Sequence, residues 1–365
     1  MAGHVHGGDI YRYDTCIDFS ASCNPLGTPK GVKDAIIDSI PSVKNYPEVN
    51  CSRLRRDIAR AEEVPDSWVI CGNGAAELIF SLVLALKPKK ALLTAPSFAE
   101  YGAALESVGC ELAYYFLKEE KEFRLDEGFL ERLEPKPDIV FLCNPNNPDG
   151  RLIEGGLLAR IASICGEKGI FLAVDECFLD FVEDPASHTL KKLLADQKRL
   201  FLFKAFTKGY GMAGLRLGYG LSSDQELLAA MSRVTQPWNV SVIAQEAGRA
   251  ALREREFLEK GRKLVFEEKP FLMEGLSRLG FVVYPTDANY ILFKGPASLF
   301  QDMVQKGFLI RDCGNYEGLG SGFFRIAVRT HEENSSLLKA LDEVMAVSMH
   351  RTVFGEEDKA WQGRS

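Results

Sequence analysis

The stretch Phe206-Thr207-Lys208-Gly209-Tyr210-Gly211-Met212-Ala213-Gly214-Leu215-Arg216-Leu217-Gly218-Tyr219 decides how the rest of the chain is read. It sets one lysine beside a hydroxyl, then a glycine-rich turn, then an arginine eight residues after the lysine. A lysine amine condenses with an aldehyde to form a Schiff base. The Thr207 hydroxyl, the amides of a tight turn and the Arg216 guanidinium together suit a phosphate monoester. A small molecule that carries both an aldehyde and a phosphate is pyridoxal 5'-phosphate (PLP). Taken alone, Lys208 reads better as a solvated surface lysine. The PLP reading therefore depends on what the rest of the chain supplies.

Four other segments supply matching parts. The apolar run Gly169-Ile170-Phe171-Leu172-Ala173 leads into Val174-Asp175-Glu176, a buried strand ending in a carboxylate. Asp175 there can pair with a protonated pyridine nitrogen and keep the ring an electron sink. Phe141-Leu142-Cys143-Asn144-Pro145-Asn146-Asn147-Pro148-Asp149-Gly150 is an apolar strand running into a turn, and Asn147 can hydrogen-bond the ring hydroxyl. Cys71-Gly72-Asn73-Gly74-Ala75-Ala76-Glu77 joins a strand to a helical pattern, where free amides form an anion site. Thr94-Ala95-Pro96-Ser97-Phe98 follows a further strand, and Phe98 can stack on the ring. Each segment alone has a plainer reading, as a helix cap, a bare turn or a core aromatic.

In this order the segments resemble the fold-type I PLP-dependent enzymes, within them the histidinol-phosphate aminotransferase branch, and most of all the L-threonine O-3-phosphate decarboxylases of cobalamin biosynthesis. Further shared-looking segments are His6-Gly7-Gly8, Asp18-Phe19-Ser20-Ala21, Asn24-Pro25-Leu26-Gly27, Tyr46-Pro47-Glu48, Phe98-Ala99-Glu100-Tyr101-Gly102, Leu309-Ile310-Arg311 and Phe324-Arg325-Ile326-Ala327-Val328-Arg329. The resemblance implies that Lys208 holds PLP, that Asp175 meets the pyridine nitrogen, that Asn147 faces the ring hydroxyl and that Phe98 stacks on the ring. It implies a cofactor-phosphate site of Gly74, Ala75, Ala76, Thr207 and Arg216, completed by Tyr46 of a second subunit, hence a homodimer. It implies that Arg311 and Arg325, fourteen residues apart, and His6 bind a small phosphorylated amino acid through its phosphate and carboxylate. Ser22 stands where the relatives have an asparagine over the substrate. Phe178 stands where many aminotransferases have a tyrosine, and that exchange favours the decarboxylase over the aminotransferase.

Short β-rich runs alternate with helical patterns from about Trp68 to Leu221. The strand candidates are 68–71, 91–94, 112–116, 139–143, 170–175, 200–203 and 217–221. This alternation argues for an α/β fold with a mostly parallel sheet covered on both faces. Ligands of such sheets sit at the carboxyl ends of the strands, where Asn147, Asp175 and Lys208 all fall. The segment 240–275 reads as one long charged helix. From about Glu274 an α+β pattern follows, with strands at 281–284, 290–293 and 323–328. The resemblance places the N-terminal segment with this part, giving a PLP-binding large domain at 45–265 and a small domain from 1–44 and 266–365. The polar tail 351–365 is expected to be loose.

At 365 residues the chain is long for a single core. Its net charge of −7 argues against nucleic acid as a partner. The nine cysteines lack CxxC or framework spacing, which fits a reducing cytoplasm and no structural metal. The N-terminus lacks a charged region followed by an apolar one, and no apolar run approaches membrane-spanning length, so neither a secretory leader nor membrane attachment is expected.

Overall fold

The computed structural model describes residues 6–13 and 16–362, with side chains through residue 346. Thirteen strands are β1 (Ile17–Asp18), β2 (Val69–Gly72), β3 (Lys90–Ala95), β4 (Glu111–Phe116), β5 (Ile139–Cys143), β6 (Phe171–Asp175), β7 (Leu200–Ala205), β8 (Gly218–Leu221), β9 (Val282–Val283), β10 (Tyr290–Lys294), β11 (Phe308–Leu309), β12 (Arg311–Asp312) and β13 (Phe323–Ala327). Seven of them form one sheet in the order β2-β8-β7-β6-β5-β3-β4. All its pairings are parallel except those of β8, which runs against both β7 and β2.

The central strands are apolar without alternation because both faces of the sheet are covered. Leu172, Val174, Leu200 and Leu202 point into one core, while Phe171, Ala173, Phe201 and Phe203 point into the other. Helix Gly155–Lys168 closes the first face with Leu157, Leu158, Ile161, Ala162 and Cys165, which repeat at helical spacing. The Glu154 carboxylate caps its start by accepting from the Gly156 and Leu157 amides, and Gly169 at φ 63° ends it. Helix Ala75–Leu86 covers the second face with Leu78, Ile79, Leu82 and Val83.

The C-terminal part holds a four-stranded antiparallel sheet in the order β12-β13-β10-β9. The N-terminal segment joins it, because β1 pairs in parallel with β11, Ile17 opposite Phe308 and Asp18 opposite Leu309. Phe19 is buried in the same core as Phe293, Phe308, Phe324 and Leu341. Helix Lys30–Ser39 lies elsewhere: Val32 is buried in the large-sheet core beside Leu54, Ala244 and Ala247. The expected division between residues 44 and 45 cuts across this contact.

The single helix expected over 240–275 is two helices, Val242–Ala251 and Arg255–Arg278. The break falls at residues 252–254, which contain neither glycine nor proline, while Pro270 lies inside the second helix. Leu258 packs on the large-sheet core, and Val265, Leu272 and Leu276 on the C-terminal one, so this helix spans both. The closing helix is His331–Gln362, so the backbone of the tail is helical to that point. The tail's side chains and residues 363–365 lie outside the described residues. Among the described residues no helix is long and apolar enough to cross a membrane, no cluster suits a metal ion, and all nine cysteines are free thiols.

Candidate active site

A cavity of about 250 Å³ opens at the carboxyl ends of β2, β3, β5, β6 and β7. Every strand that feeds it ends in a polar or glycine-rich turn, so its walls come from five separate loops held by one sheet. Of the residues singled out in the sequence, His6, Ala75, Ala76, Phe98, Asn147, Asp175, Thr207, Lys208, Arg216, Arg311 and Arg325 line it together.

Lys208 sits in the one-turn helix Phe206–Gly209 that directly follows β7. The N-terminal segment buttresses that turn. The Asn24 amide donates to the Lys208 carbonyl at 2.9 Å, Asn24 Nδ2 donates to the Gly209 carbonyl at 2.8 Å, and Thr28 Oγ1 donates to the Gly211 carbonyl at 2.7 Å. Lys208 Nζ lies 5.1 Å from the centre of the Phe178 ring. Among the lining residues it is the one lysine.

Asp175 ends β6 and is buried. Its Oδ2 accepts from the Tyr101 hydroxyl at 2.7 Å and its Oδ1 from the Cys177 amide at 2.9 Å. Burial, reinforced by the Asp175 charge, pushes both the Tyr101 hydroxyl and the Cys177 thiol well above their ordinary pKa, so both stay protonated.

Asn147 follows β5. Its Oδ1 accepts from Arg325 Nη1 and from the Tyr316 hydroxyl, the latter at 3.1 Å. Two donors on Oδ1 fix the amide, so Nδ2 remains as the group able to donate to a ligand. The two arginines of the C-terminal sheet are each only 6% exposed. Their partners are neutral. Arg311 donates to the Asp312 carbonyl at 2.6 Å and to Asn315 Oδ1 at 2.8 Å, while Arg325 donates to Asn147 Oδ1 and to the Ser20 carbonyl at 3.0 Å. Aromatic faces support both, Tyr316 at 5.2 Å from Arg311 and Tyr290 at 5.0 Å from Arg325. Arg325 Nε is buried with no partner.

The residues present fit PLP. Helix Ala75–Leu86 starts at Gly74 with no side-chain cap on its first amides, which leaves them for an anion. Gly74 has φ +85°, and a Cβ there would lie 2.6 Å from Arg216 Nη2. A Cβ at Gly218 would lie 2.5 Å from the Ala75 nitrogen. Both glycines thus keep the guanidinium and the helix start close together beside Thr207. An amine, a carboxylate and an amide donor complete the set at Lys208, Asp175 and Asn147.

Three sequence-predicted residues are placed otherwise. Gly74 backs the cradle without lining the cavity. Tyr46 is 79% exposed and stacks on Trp238, ring centres 4.7 Å apart, outside the cavity. Ser22 is fully buried away from it. Its hydroxyl has no partner, and its carbonyl accepts from Asn289 Nδ2 at 3.2 Å. Ser20 and Ala21 line the cavity in its stead, because the chain turns Ser22 towards the C-terminal sheet. His6 reaches the rim, where Nε2 lies 3.1 Å from a Glu100 oxygen. Sequence reasoning missed Tyr101, Cys177 and Tyr316. Tyr101 lay inside the quoted Phe98–Gly102 segment and Tyr316 five residues past Arg311, but nothing local marks either as a site residue.

The family model for aminotransferase class I and II matches residues 14–341. The threonine-phosphate decarboxylase of Salmonella typhimurium is 38% identical over 353 residues, covering 93% of this chain and 96% of that protein. A histidinol-phosphate aminotransferase of Desulfitobacterium hafniense is 33% identical over 341 residues, covering 90% of this chain and 92% of that protein. Among solved structures, the histidinol-phosphate aminotransferase of Clostridium acetobutylicum superposes with a TM-score of 0.84 at 29% identity, over 90% of this chain and 98% of that one. The site and these likenesses agree: the chain belongs to the class I and II aminotransferase family and is a PLP-dependent enzyme.

Proposed function

We propose that the chain decarboxylates L-threonine O-3-phosphate to (R)-1-aminopropan-2-ol O-phosphate, a step of cobalamin biosynthesis. The observation that carries this reading is the pair Arg311 and Arg325. Both guanidinium groups are buried on the same cavity as Lys208, and both are bonded only to neutral acceptors. Two buried charges without a carboxylate are costly unless a ligand supplies the anions. Arg216, across the cavity at Gly74, is assigned to the cofactor phosphate. The substrate then brings two anions of its own, a phosphate and a carboxylate. The threonine-phosphate decarboxylase relative supports the same choice.

Bound PLP supplies an electron sink conjugated to the substrate Cα. Lys208 Nζ would hold the cofactor and is the amine the cavity offers for returning a proton to the substrate Cα. Asp175 would hold the pyridine nitrogen, Asn147 Nδ2 the ring oxygen and Phe98 the ring face. Arg311 and Arg325 clamp the substrate anions, with His6 at the rim. Arg325 is tied to Asn147 through Oδ1, so the clamp and the ring-oxygen donor keep one register. Tyr46 completes the cofactor-phosphate site of a second subunit, which makes the enzyme a homodimer. Residues 45–265 together with helix Lys30–Ser39 form the cofactor-binding domain, and the remaining parts of the two chain ends form the smaller one.

A histidinol-phosphate-type aminotransferase is the alternative, favoured by the likeness to such enzymes in sequence and fold. A product assay separates the two. The purified protein is expected to release carbon dioxide from phosphothreonine, and more slowly from phosphoserine, while plain threonine reacts very poorly. Arg311→Ala and Arg325→Ala are each expected to lose two to four decades of activity, roughly 3–5 kcal/mol for one partner removed from a buried anion contact. Faster amino-group transfer from histidinol phosphate to an oxo acid than carbon dioxide release from either phospho-amino acid would overturn the decarboxylase reading.

A further inference from the structure

Asp175 is held by two residues of different origin. Cys177, two residues on in the chain, contributes its amide. The other contact comes from Tyr101, at the start of helix Glu100–Glu106. The Tyr101 side chain is 1% exposed, its ring is stacked on Phe141 with centres 5.1 Å apart, and it meets the Phe98 ring edge-on at 5.5 Å. Packing fixes the ring, so the hydroxyl can point only along one line, and at 2.7 Å that line ends on Asp175 Oδ2.

The terminal torsion of an aspartate is soft and roughly two-fold, so packing alone does not set the plane of the carboxylate. One donor on each oxygen does set it. The Cys177 amide takes Oδ1 and Tyr101 takes Oδ2, and each oxygen keeps a further lone pair for a ligand. Phe98 and Tyr101 stand three residues apart, so one short segment carries both the ring-face aromatic and the support of the carboxylate.

We propose that Tyr101 is a positioning residue for the cofactor: its hydroxyl holds the Asp175 carboxylate in the plane from which it receives the pyridine N–H. The inference rests on the reading of Asp175 as the pyridine partner. Tyr101 touches neither substrate nor reacting atoms in this role, and acts through Asp175.

The test is equilibrium binding of PLP to apo-protein, with urea unfolding of the same apo-proteins run in parallel. Tyr101→Phe keeps the stacked ring and removes the donor. Tyr101→Met removes the same donor and serves if the phenylalanine variant does not fold. Tyr101→His keeps an N–H. Loss of the donor is expected to weaken PLP binding roughly 10- to 100-fold, the size of one hydrogen bond to a charged group, and histidine is expected to recover part of it. In an Asp175→Asn background the Tyr101→Phe change is expected to weaken binding no further. Unchanged PLP affinity in Tyr101→Phe, or an equal loss with and without Asp175, overturns the inference. Normal PLP affinity in Asp175→Asn itself removes the underlying reading of Asp175, and the inference with it.

Discussion

Asp149 shows how one buried side chain shapes the site without touching a ligand. It is fully buried three residues past Asn146, whose side-chain amide donates to it, and it accepts from the Arg151 amide at 2.9 Å. It thereby clamps the turn that presents Asn147. Burial pushes its carboxyl up to about 7, against the pull of these donors. The folded state thus binds the proton more tightly than the unfolded chain, whose carboxyl titrates near 3.8. The group's contribution to stability is complete below that lower value and is lost as pH rises through about 7. Between pH 5 and 8 the loss is expected to be roughly 2–3 kcal/mol, and Asp149→Asn should flatten it. Urea unfolding at several pH values checks this, and equal slopes for both proteins would count against it. In the sequence Asp149 is one more residue of an Asn/Pro/Gly turn, and its burial is not legible there. Lys208, Asp175 and Asn147 were readable because each lies at the end of an apolar strand or within four residues past it, so its place at the sheet edge is a local property. Tyr316 and Tyr101 were not, because their partners Asn147 and Asp175 lie 169 and 74 residues away.

Among the elements, the start of helix Ala75–Leu86 is the most sharply constrained. Gly74 combines φ +85° with a space that a methyl group cannot share with Arg216. Gly74→Ala therefore meets both a left-handed backbone and a displaced guanidinium, together about 1–3 kcal/mol. The variant is expected to melt a few degrees lower as apo-protein and to bind PLP at least tenfold more weakly. In an Arg216→Ala background the same change should affect PLP binding much less, since the clash is gone. An undiminished effect there would mean that backbone strain alone accounts for it. Strand positions were legible to within one or two residues, because apolar runs bounded by Gly, Pro and Asn mark strands on their own. The break at 252–254 was not, because it contains no residue that stops a helix. Proline at 270, a stronger local signal, does not break the helix at all.

At the scale of the whole molecule, Ile37, Ile40, Val43, Tyr46 and Trp238 are all exposed. In the proposed homodimer a second copy would seat on this run of apolar side chains and bring Tyr46 to a neighbouring cofactor site. Lys208→Ala protein mixed with Tyr46→Ala protein should then recover part of the activity through hybrid dimers, each with one complete site. Full activity in a monomer, followed by light scattering during turnover, would rule this out. The α/β character and the location of the cofactor were readable from the alternation of strands and helices. The pairing of β1 with β11 was not, since no local pattern links Ile17 to Phe308; the resemblance suggested only that the N-terminal segment joins the C-terminal part. That pairing also imposes an order on biosynthesis. Residues through β8, the strand that joins β2 to β7, supply the cofactor half of the cavity, but Ser20 meets Arg325, and β1 its partner, only after the last part of the chain has left the ribosome. A nascent chain can therefore shape a PLP cradle long before it can hold a substrate, and a protein truncated before β11 should retain the first capacity without the second.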